Sequence, residues 1–450
     1  NIFCSNGTMA LADGVTSATV YGKITNGRFA DGLVAVTYRV NGADYATQIL
    51  RSGTTPTKPD DPANDGYVFV GWFDGDTPYD FTDPITKDIT LTAKWAKLVN
   101  KTADFTASDG GAAAIALLNS AKTGVADSTW DNGTKTLTLK GVSMATTTTT
   151  AVKLPDGATV ILADGTENHI IGGGATAAED GDYENKIYVY GIYAAGALTI
   201  QGETNGTGKL YVNSGEHINS DDAWTYSVAL FINGDLEVKS ASVTAQGGKA
   251  VNGDCAFSLG VQLSEGHNLS VSGGTLTAVG GESYNTEDPK NIRESFSEGI
   301  DISRGNVTIS GSGKLIVKTV SDMMEKGLSF GLYIIQGSLF VSDSASLTVK
   351  TSHAIDISGG DLKISGGKIC SYATSDDAAI SVTRNIFNNA GNGNIEITGG
   401  EIECVGGGIY MSASPKTEEM GILSVTGGKL TADSIYGPNK LTISDSTVTS

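Results

Sequence analysis

Residues 354–369 read Ala-Ile-Asp-Ile-Ser-Gly-Gly-Asp-Leu-Lys-Ile-Ser-Gly-Gly-Lys-Ile. Ala354 to Ile357 and Leu362 to Ile364 alternate apolar and polar residues, and each ends in a Gly pair. Alternation of period two puts every second side chain on one face, the mark of a half-buried strand, and the Gly pairs mark tight turns between strands. The Leu362-Lys-Ile364 phrase recurs as Leu198-Thr-Ile200, Leu236-Glu-Val238, Leu269-Ser-Val271, Val307-Thr-Ile309, Leu339-Phe-Val341, Ile395-Glu-Ile397, Leu423-Ser-Val425 and Leu441-Thr-Ile443, with successive starts 18 to 38 residues apart. A Gly-rich turn and a second short strand follow many copies, such as Thr426-Gly-Gly and Lys429-Leu430-Thr-Ala432. A third strand precedes most of them: Gly191-Ile192-Tyr-Ala194, Gly299-Ile300-Asp-Ile302, Gly408-Ile409-Tyr-Met411.

One unit is therefore three short strands joined by two tight corners and one corner of variable length. No such unit buries its apolar residues alone, but stacked units bury a ladder per face. The repeat predicts an all-β chain dominated by a right-handed parallel β-helix over residues 99–450, with ten or eleven coils and, at ~4.8 Å per coil, a rod roughly 50 Å long. A stacked antiparallel sandwich is the structural alternative. Asp109-Gly-Gly-Ala-Ala-Ala-Ile-Ala-Leu-Leu-Asn predicts one short helix, with Asp109 near its N-cap, placed to cap the solenoid.

On the third strand, the residue between two inward positions points outward. Along the rod that file reads Lys153, Tyr193, Phe231, Gln262, Asp301, Tyr333, Asp356, Ser381, Tyr410 and Tyr436. The matching files on the other two strands are mainly Thr, Ser, Glu and Lys. Exposed aromatics call for a partner. Flat rings spaced along a rod suit stacking on successive sugars, with Asp and Gln bonding hydroxyls, so Tyr193, Phe231, Gln262, Asp301, Tyr333, Asp356, Tyr410 and Tyr436 are the candidate ligand-binding residues. The alternative is that the inserts at 213–226, 246–256, 280–297 and 318–327, which carry Asp221, Asp222, Glu282, Tyr284, Glu287 and Asp288, fold over the rings.

Residues 1–33 read as a short β segment or linker, and Val34, Val36, Tyr38 and Val40 as a strand closed by Asn41-Gly42. Then come Pro56, Pro59 and Pro62, Gly66-Tyr67-Val68-Phe69-Val70-Gly71-Trp72-Phe73, Tyr79-Asp80-Phe81, Pro84-Ile85-Thr86 and Leu91-Thr92-Ala93-Lys94-Trp95. This order of landmarks over residues 34–96 resembles the Listeria–Bacteroides repeat, the B-repeat of internalins, although Thr92 stands where that family commonly has Tyr. The resemblance implies a small β-grasp-like module (34–98) used as a spacer or interaction unit on bacterial surface proteins. Trp72, Trp95, Tyr67, Phe69 and Phe81 are its expected core.

The repeat region also resembles the clostridial carbohydrate-binding β-helix proteins through Trp130-x-x-Gly, Leu154-Pro-Asp-Gly, Asp164-Gly-x-Glu-Asn168 and the Gly-x-Leu-x-Ile phrase. That resemblance implies binding of acidic plant polysaccharide, with calcium. Asp301 with Asp356, Asp221 with Asp222, and Asp376 with Asp377 are the carboxylates considered for calcium, although two coils separate the first pair and no ligand set is defined.

Composition narrows the classes of function. Gly supplies 59 of 450 residues without a collagen period, and 30 basic against 50 acidic residues leave a net charge of −20, which argues against nucleic acid or an anionic membrane as partner. Cys4, Cys255, Cys370 and Cys404 show neither a zinc-ribbon spacing nor a disulfide framework. The longest apolar run, Ala112 to Leu118, is too short to span a bilayer. The chain opens at Asn1 without a signal-peptide pattern, consistent with a targeting segment already removed or a trimmed start. Catalysis is not expected. No Gly-His-Gly or Gly-x-Ser-x-Gly occurs, the four His fall in unrelated repeat positions, and Arg304 and Arg384 lack a carboxylate cluster beside them. The expectation is an extracellular bacterial surface protein that binds polysaccharide or a host glycan as an adhesin, with or without calcium. A structural stalk or protein-binding adhesin is the alternative, and a polysaccharide lyase or hydrolase ranks third.

Overall fold

The computed structural model describes residues 8–11, 14–21, 24, 28–75, 77–79, 81, 83–174, 186–218, 224–252, 255–285, 295–320, 328–373, 378–383, 393–412, 421–438 and 440–449. The chain forms two compact units, residues 1–98 and 99–450.

In the first unit, Leu33–Val40 and Ile89–Val99 pair in parallel, Ala43–Arg51 runs antiparallel to Leu33–Val40, and Tyr67–Asp74 runs antiparallel to Ile89–Val99. Ser17–Tyr21 adds to the edge at Ala43–Arg51, so part of the N-terminal segment belongs to this sheet. Tyr38 and Trp72 meet edge to face at 4.9 Å, and Tyr38, Leu50, Trp72 and Leu91 are fully buried or nearly so. Phe69, Phe81 and Trp95 pack partly buried against them. Tyr67 does not join this core and is 47 % exposed, because it opens its strand opposite Lys97, at the end of the sheet.

The second unit is a parallel β-helix. Its first sheet holds twelve strands, of which only Thr129–Asp131 is antiparallel to its neighbour among the described residues. Leu198, Leu236, Leu269, Val307, Leu339, Leu362, Ile395, Leu423 and Leu441 lie in register down it. The parallel register excludes the antiparallel sandwich. The second sheet includes Lys209–Asn213, Ala241–Gln246, Lys314–Thr319 and Lys368–Ala373, and the third sheet stacks eleven strands from Ala103–Asp104 to Ile435–Tyr436. Inward positions of the three sheets form one continuous apolar core. Ala114 and Leu118 of the helix Ala112–Ser120 are buried in that core, and Asp109 accepts hydrogen bonds from the Gly111 and Ala113 amides at the start of the helix.

Two devices hold the corner between the third and first sheets. Asp235, Asn268, Asn306, Ser338, Asp361 and Asn394 each accept, through a side-chain oxygen, a backbone N–H of the following coil at 2.8–3.0 Å. Beside them, a Cβ added at Gly305, Gly337 or Gly360 would lie 1.7 Å from a carbonyl oxygen of the preceding coil, so no side chain fits there. Asn306→Ala is expected to cost about 1 kcal/mol, and Gly337→Ala on the order of 2–3 kcal/mol through overpacking. Urea unfolding followed by circular dichroism measures both; equal costs would show that the close backbone approach does not matter.

Candidate functional site

From residue 186 to 358 the third-sheet strands lengthen. Lys186–Ala194, Trp224–Ile232, Cys255–Leu263, Ser295–Ser303 and Leu328–Ile335 extend upstream past a bend at Gly191, Ala229, Gly260, Gly299 and Gly331. At that bend a Cβ on Gly299 would meet Val317 of the second sheet at 2.1 Å and one on Gly331 would meet Val349 at 2.3 Å. Only a small residue lets the strand press there against its neighbour.

Across the bend, outward side chains three residues apart converge. The rings of Tyr190 and Tyr193 lie 5.5 Å apart and those of Phe330 and Tyr333 5.2 Å apart. The outer face therefore folds inward at the bend, where Tyr226, Val228 and Leu259 are buried in a small apolar cluster with Tyr188, Tyr190, Phe231 and Phe257 packed against it. One wall is the file expected from the sequence: Lys153, Tyr193, Phe231, Gln262, Asp301, Tyr333, Asp356, Ser381, Tyr410 and Tyr436 pair coil by coil without a break. Its members are half-buried up to Ser381 and exposed at Tyr410 and Tyr436. The other wall runs Tyr190, Val228, Leu259, Glu298, Phe330 and His353, with Tyr226, Phe257 and Phe296 beyond it.

The rings form ladders. Tyr193 and Phe231 stack at 5.6 Å, Tyr226 and Phe257 at 4.5 Å, Phe257 and Phe296 at 4.9 Å, and Tyr410 and Tyr436 at 5.5 Å, each pair within 10° of parallel. Ring faces within a ladder are turned to one another, so edges and hydroxyls face the groove. This differs from the expected flat platforms.

His217–Ile218, Ala250–Asn252 and Ser283–Asn285 form a small parallel sheet. Ser227 and Ser258 alternate with the aromatic positions and so point the opposite way, where they donate to the Gly215 and Gly248 carbonyls. The inserts are thereby anchored on the serine face. Asp221, Asp222, Glu287, Asp288, Asp376, Asp377, Arg384 and Cys4 lie outside the described residues, as does the side chain of Tyr284.

Sequence reading missed Glu298, which sits on the upstream side of the bend and belongs to no three-residue phrase. It is 5 % exposed. Burial, and then the nearby Asp301 charge, push its carboxyl well above the usual carboxylate range. Asp301 is also raised by burial, opposed by a hydrogen bond from Gln262 Nε2 at 3.1 Å. Asp356 is pushed up to about 6 by burial, against the pull of His353. Tyr333 lies within electrostatic reach of Asp356, Glu298 and Asp301, and burial first, then these charges, push its phenol up to about 12.

Elsewhere the candidate groups are committed to structure. Arg304 pairs with Glu265 and donates to Gln336 Oε1, His169 contacts Glu167 and stacks on Tyr211, and His267 lies beside Asp235. Asn168 accepts from the Gly141 and Val142 amides, Asp164 braces residues 204–207, and Trp130 donates to the Gly110 carbonyl. Those motifs are scaffold. Among the described residues no group of three or more His, Cys, Asp or Glu is placed to hold a metal ion, and no helix is long and apolar enough to cross a membrane.

With this geometry in place, comparison with known proteins shows that residues 35–94 match the Listeria-Bacteroides repeat domain, a repeat found in bacterial surface proteins. The match bears on the first unit alone. No curated protein matches the chain.

The raised carboxyls fix the sign of a pH effect. From about pH 4 to 6 the folded protein keeps a proton on Asp356 that the unfolded chain releases, so stability falls as pH rises through that window. Asp356→Asn is expected to raise stability by on the order of 1–2 kcal/mol at pH 8, after discounting for its partial exposure, and to change it little at pH 4. Thermal unfolding at both pH values tests this; an equal gain at both would mean that charge is not the cause.

Proposed function

We propose that the chain is an extracellular bacterial surface protein whose β-helix binds carbohydrate in the groove of the third sheet, by contact and without catalysis. The observation that carries this reading is the unbroken outward file from Tyr193 to Asp356, which sets aromatic, amide and carboxyl side chains at the coil spacing. A groove that repeats at the coil spacing and is built of ring edges, phenols, an amide and carboxyls suits a hydroxyl-rich polymer. Glu298 with Asp301 beside it, and Asp356 two coils further, disfavour an acidic polysaccharide at this groove, since like charges would meet in a half-buried place. The rival reading, a stalk or protein-binding adhesin without sugar affinity, is favoured by the self-stacked rings, whose ladders stabilise a rod whether or not anything binds.

Affinity electrophoresis in gels containing a panel of neutral, amino and acidic polysaccharides, with calcium and then with EDTA, separates the two. Retention is expected without calcium, and Tyr333→Phe, which keeps the ring but removes the hydroxyl, is expected to weaken it by about tenfold. Absence of retention on every glycan would leave the stalk.

A further inference from the structure

We infer that Trp224 is a stacking platform for the ligand, taking the flat face of a pyranose ring on which C–H groups gather. The inference rests on the glycan-binding reading and adds a contact residue and the form of sugar it fits.

Trp224 opens the strand Trp224–Ile232, well upstream of the bend at Ala229, and so belongs to no third-strand phrase. Thr225 and Ser227 on that strand are fully buried, and Ser227 donates to the Gly215 carbonyl on the serine face. Trp224, Tyr226 and Val228 alternate with them and therefore point to the outer face. Trp224 thus carries the second wall out to its rim. There it is 39 % exposed, whereas Trp72 is buried and Trp95 and Trp130 are half-buried.

The orientation of its ring sets it apart from the ladders. Tyr226, Phe257 and Phe296 stack within 10° of parallel, so each turns an edge outward. The Trp224 indole lies 6.0 Å from Phe257 at 38°, tilted out of that stack. Its register partner in the following coil is Cys255, so the ladder of rings does not run through this position. A lone exposed apolar residue needs no explanation, but this one ends a wall of rings on the face that carries the outward file. The face of an indole is negative and broad. A pyranose whose axial hydrogens gather on one side can lie flat against it, with the hydroxyls directed past the rim. A furanose presents no such plane.

The test is affinity electrophoresis in gels of β-1,3-glucan, galactomannan and xylan, whose backbones are pyranose rings, and of inulin, a chain of furanose rings. Retention is expected on at least one of the first three and not on inulin, and the variants are run on every polysaccharide that retains the native protein. Trp224→Ala is expected to weaken retention at least about tenfold. Trp224→Phe should recover part of the loss, and Trp224→Leu, apolar but not aromatic, none of it. Adding a retaining polysaccharide should shift the tryptophan emission of the native protein to shorter wavelength, and the shift should vanish in Trp224→Phe. Unchanged retention of Trp224→Ala, full retention of Trp224→Leu, an emission shift that persists in Trp224→Phe, or equal retention on inulin overturns the inference while glycan binding stands. Absence of retention on every polysaccharide removes the binding reading and the inference with it. Thermal unfolding of each variant separates a lost contact from a lost fold; if Trp224→Ala does not fold, Trp224→Leu and Trp224→Phe carry the comparison.

Discussion

The whole rod depends on one constraint: each coil must lie directly on the one before it, about 4.8 Å away, in register. Backbone hydrogen bonds between parallel strands set that spacing along the sheets. They cannot set it at the corners, where the chain leaves the ladder. There the spacing is enforced twice, by backbone approaching backbone at the Gly305, Gly337 and Gly360 positions, and by side-chain oxygens of Asn268, Asn306, Ser338 and Asp361 taking the amide of the next coil. Slippage by one residue would turn every inward Leu and Ile outward. The corner bonds are therefore what keep the apolar ladder and the outward file in step.

That register explains why the outward file is legible in the amino-acid sequence. A period-two strand with two apolar residues flanking a third leaves no choice of side, and coil-to-coil alignment follows from the Gly-x-Leu-x-Ile phrase. Tyr193, Phe231, Gln262, Asp301, Tyr333 and Asp356 accordingly fall opposite one another with no shift. The second wall is not legible in the same way. Tyr190, Leu259, Glu298 and Phe330 lie upstream of a bend at which two successive residues, such as Gly299 and Ile300, face the interior, and this break in alternation hides which residues share a face. Its one signal is the small residue opening each third-strand phrase, which reads as a turn and is instead a site of close packing. Tyr67 fails as a core residue for a simpler reason: aromatic landmarks identify the repeat, but only pairing opposite Lys97 reveals that it stands at the sheet's end.

The bend also decides what kind of surface the groove offers. On a flat sheet the side chains of positions 298 and 301 would diverge on opposite faces, and neither would feel the other. Curvature brings both to one concavity together with Tyr333, and the same packing removes them from water. The ring ladders contribute rigidity. Tyr226, Phe257 and Phe296 stack face to face, which leaves their edges as wall and fixes the spacing of whatever stands between them.

A scaffold alone has no use for this arrangement. Elsewhere in the rod, outward acids sit in exposed pairs such as Glu401 with Lys368 and Lys429, where water and a nearby cation make charge inexpensive. In the groove, Glu298 and Asp356 are largely removed from water, Asp356 Oδ1 has no hydrogen-bond partner, and stability falls as pH rises because of the burial. A leucine at position 298 would continue the Val228 and Leu259 file and relieve the cost. Buried acids whose carboxyls are raised on one face of the third sheet are a pattern met where a protein keeps polarity for a ligand. On the opposite face Ser227 and Ser258 are equally buried and donate to the Gly215 and Gly248 carbonyls, while Ser295 and Ser297 one coil further have buried hydroxyls without a partner, so an unmet polar atom does not by itself mark the ligand face.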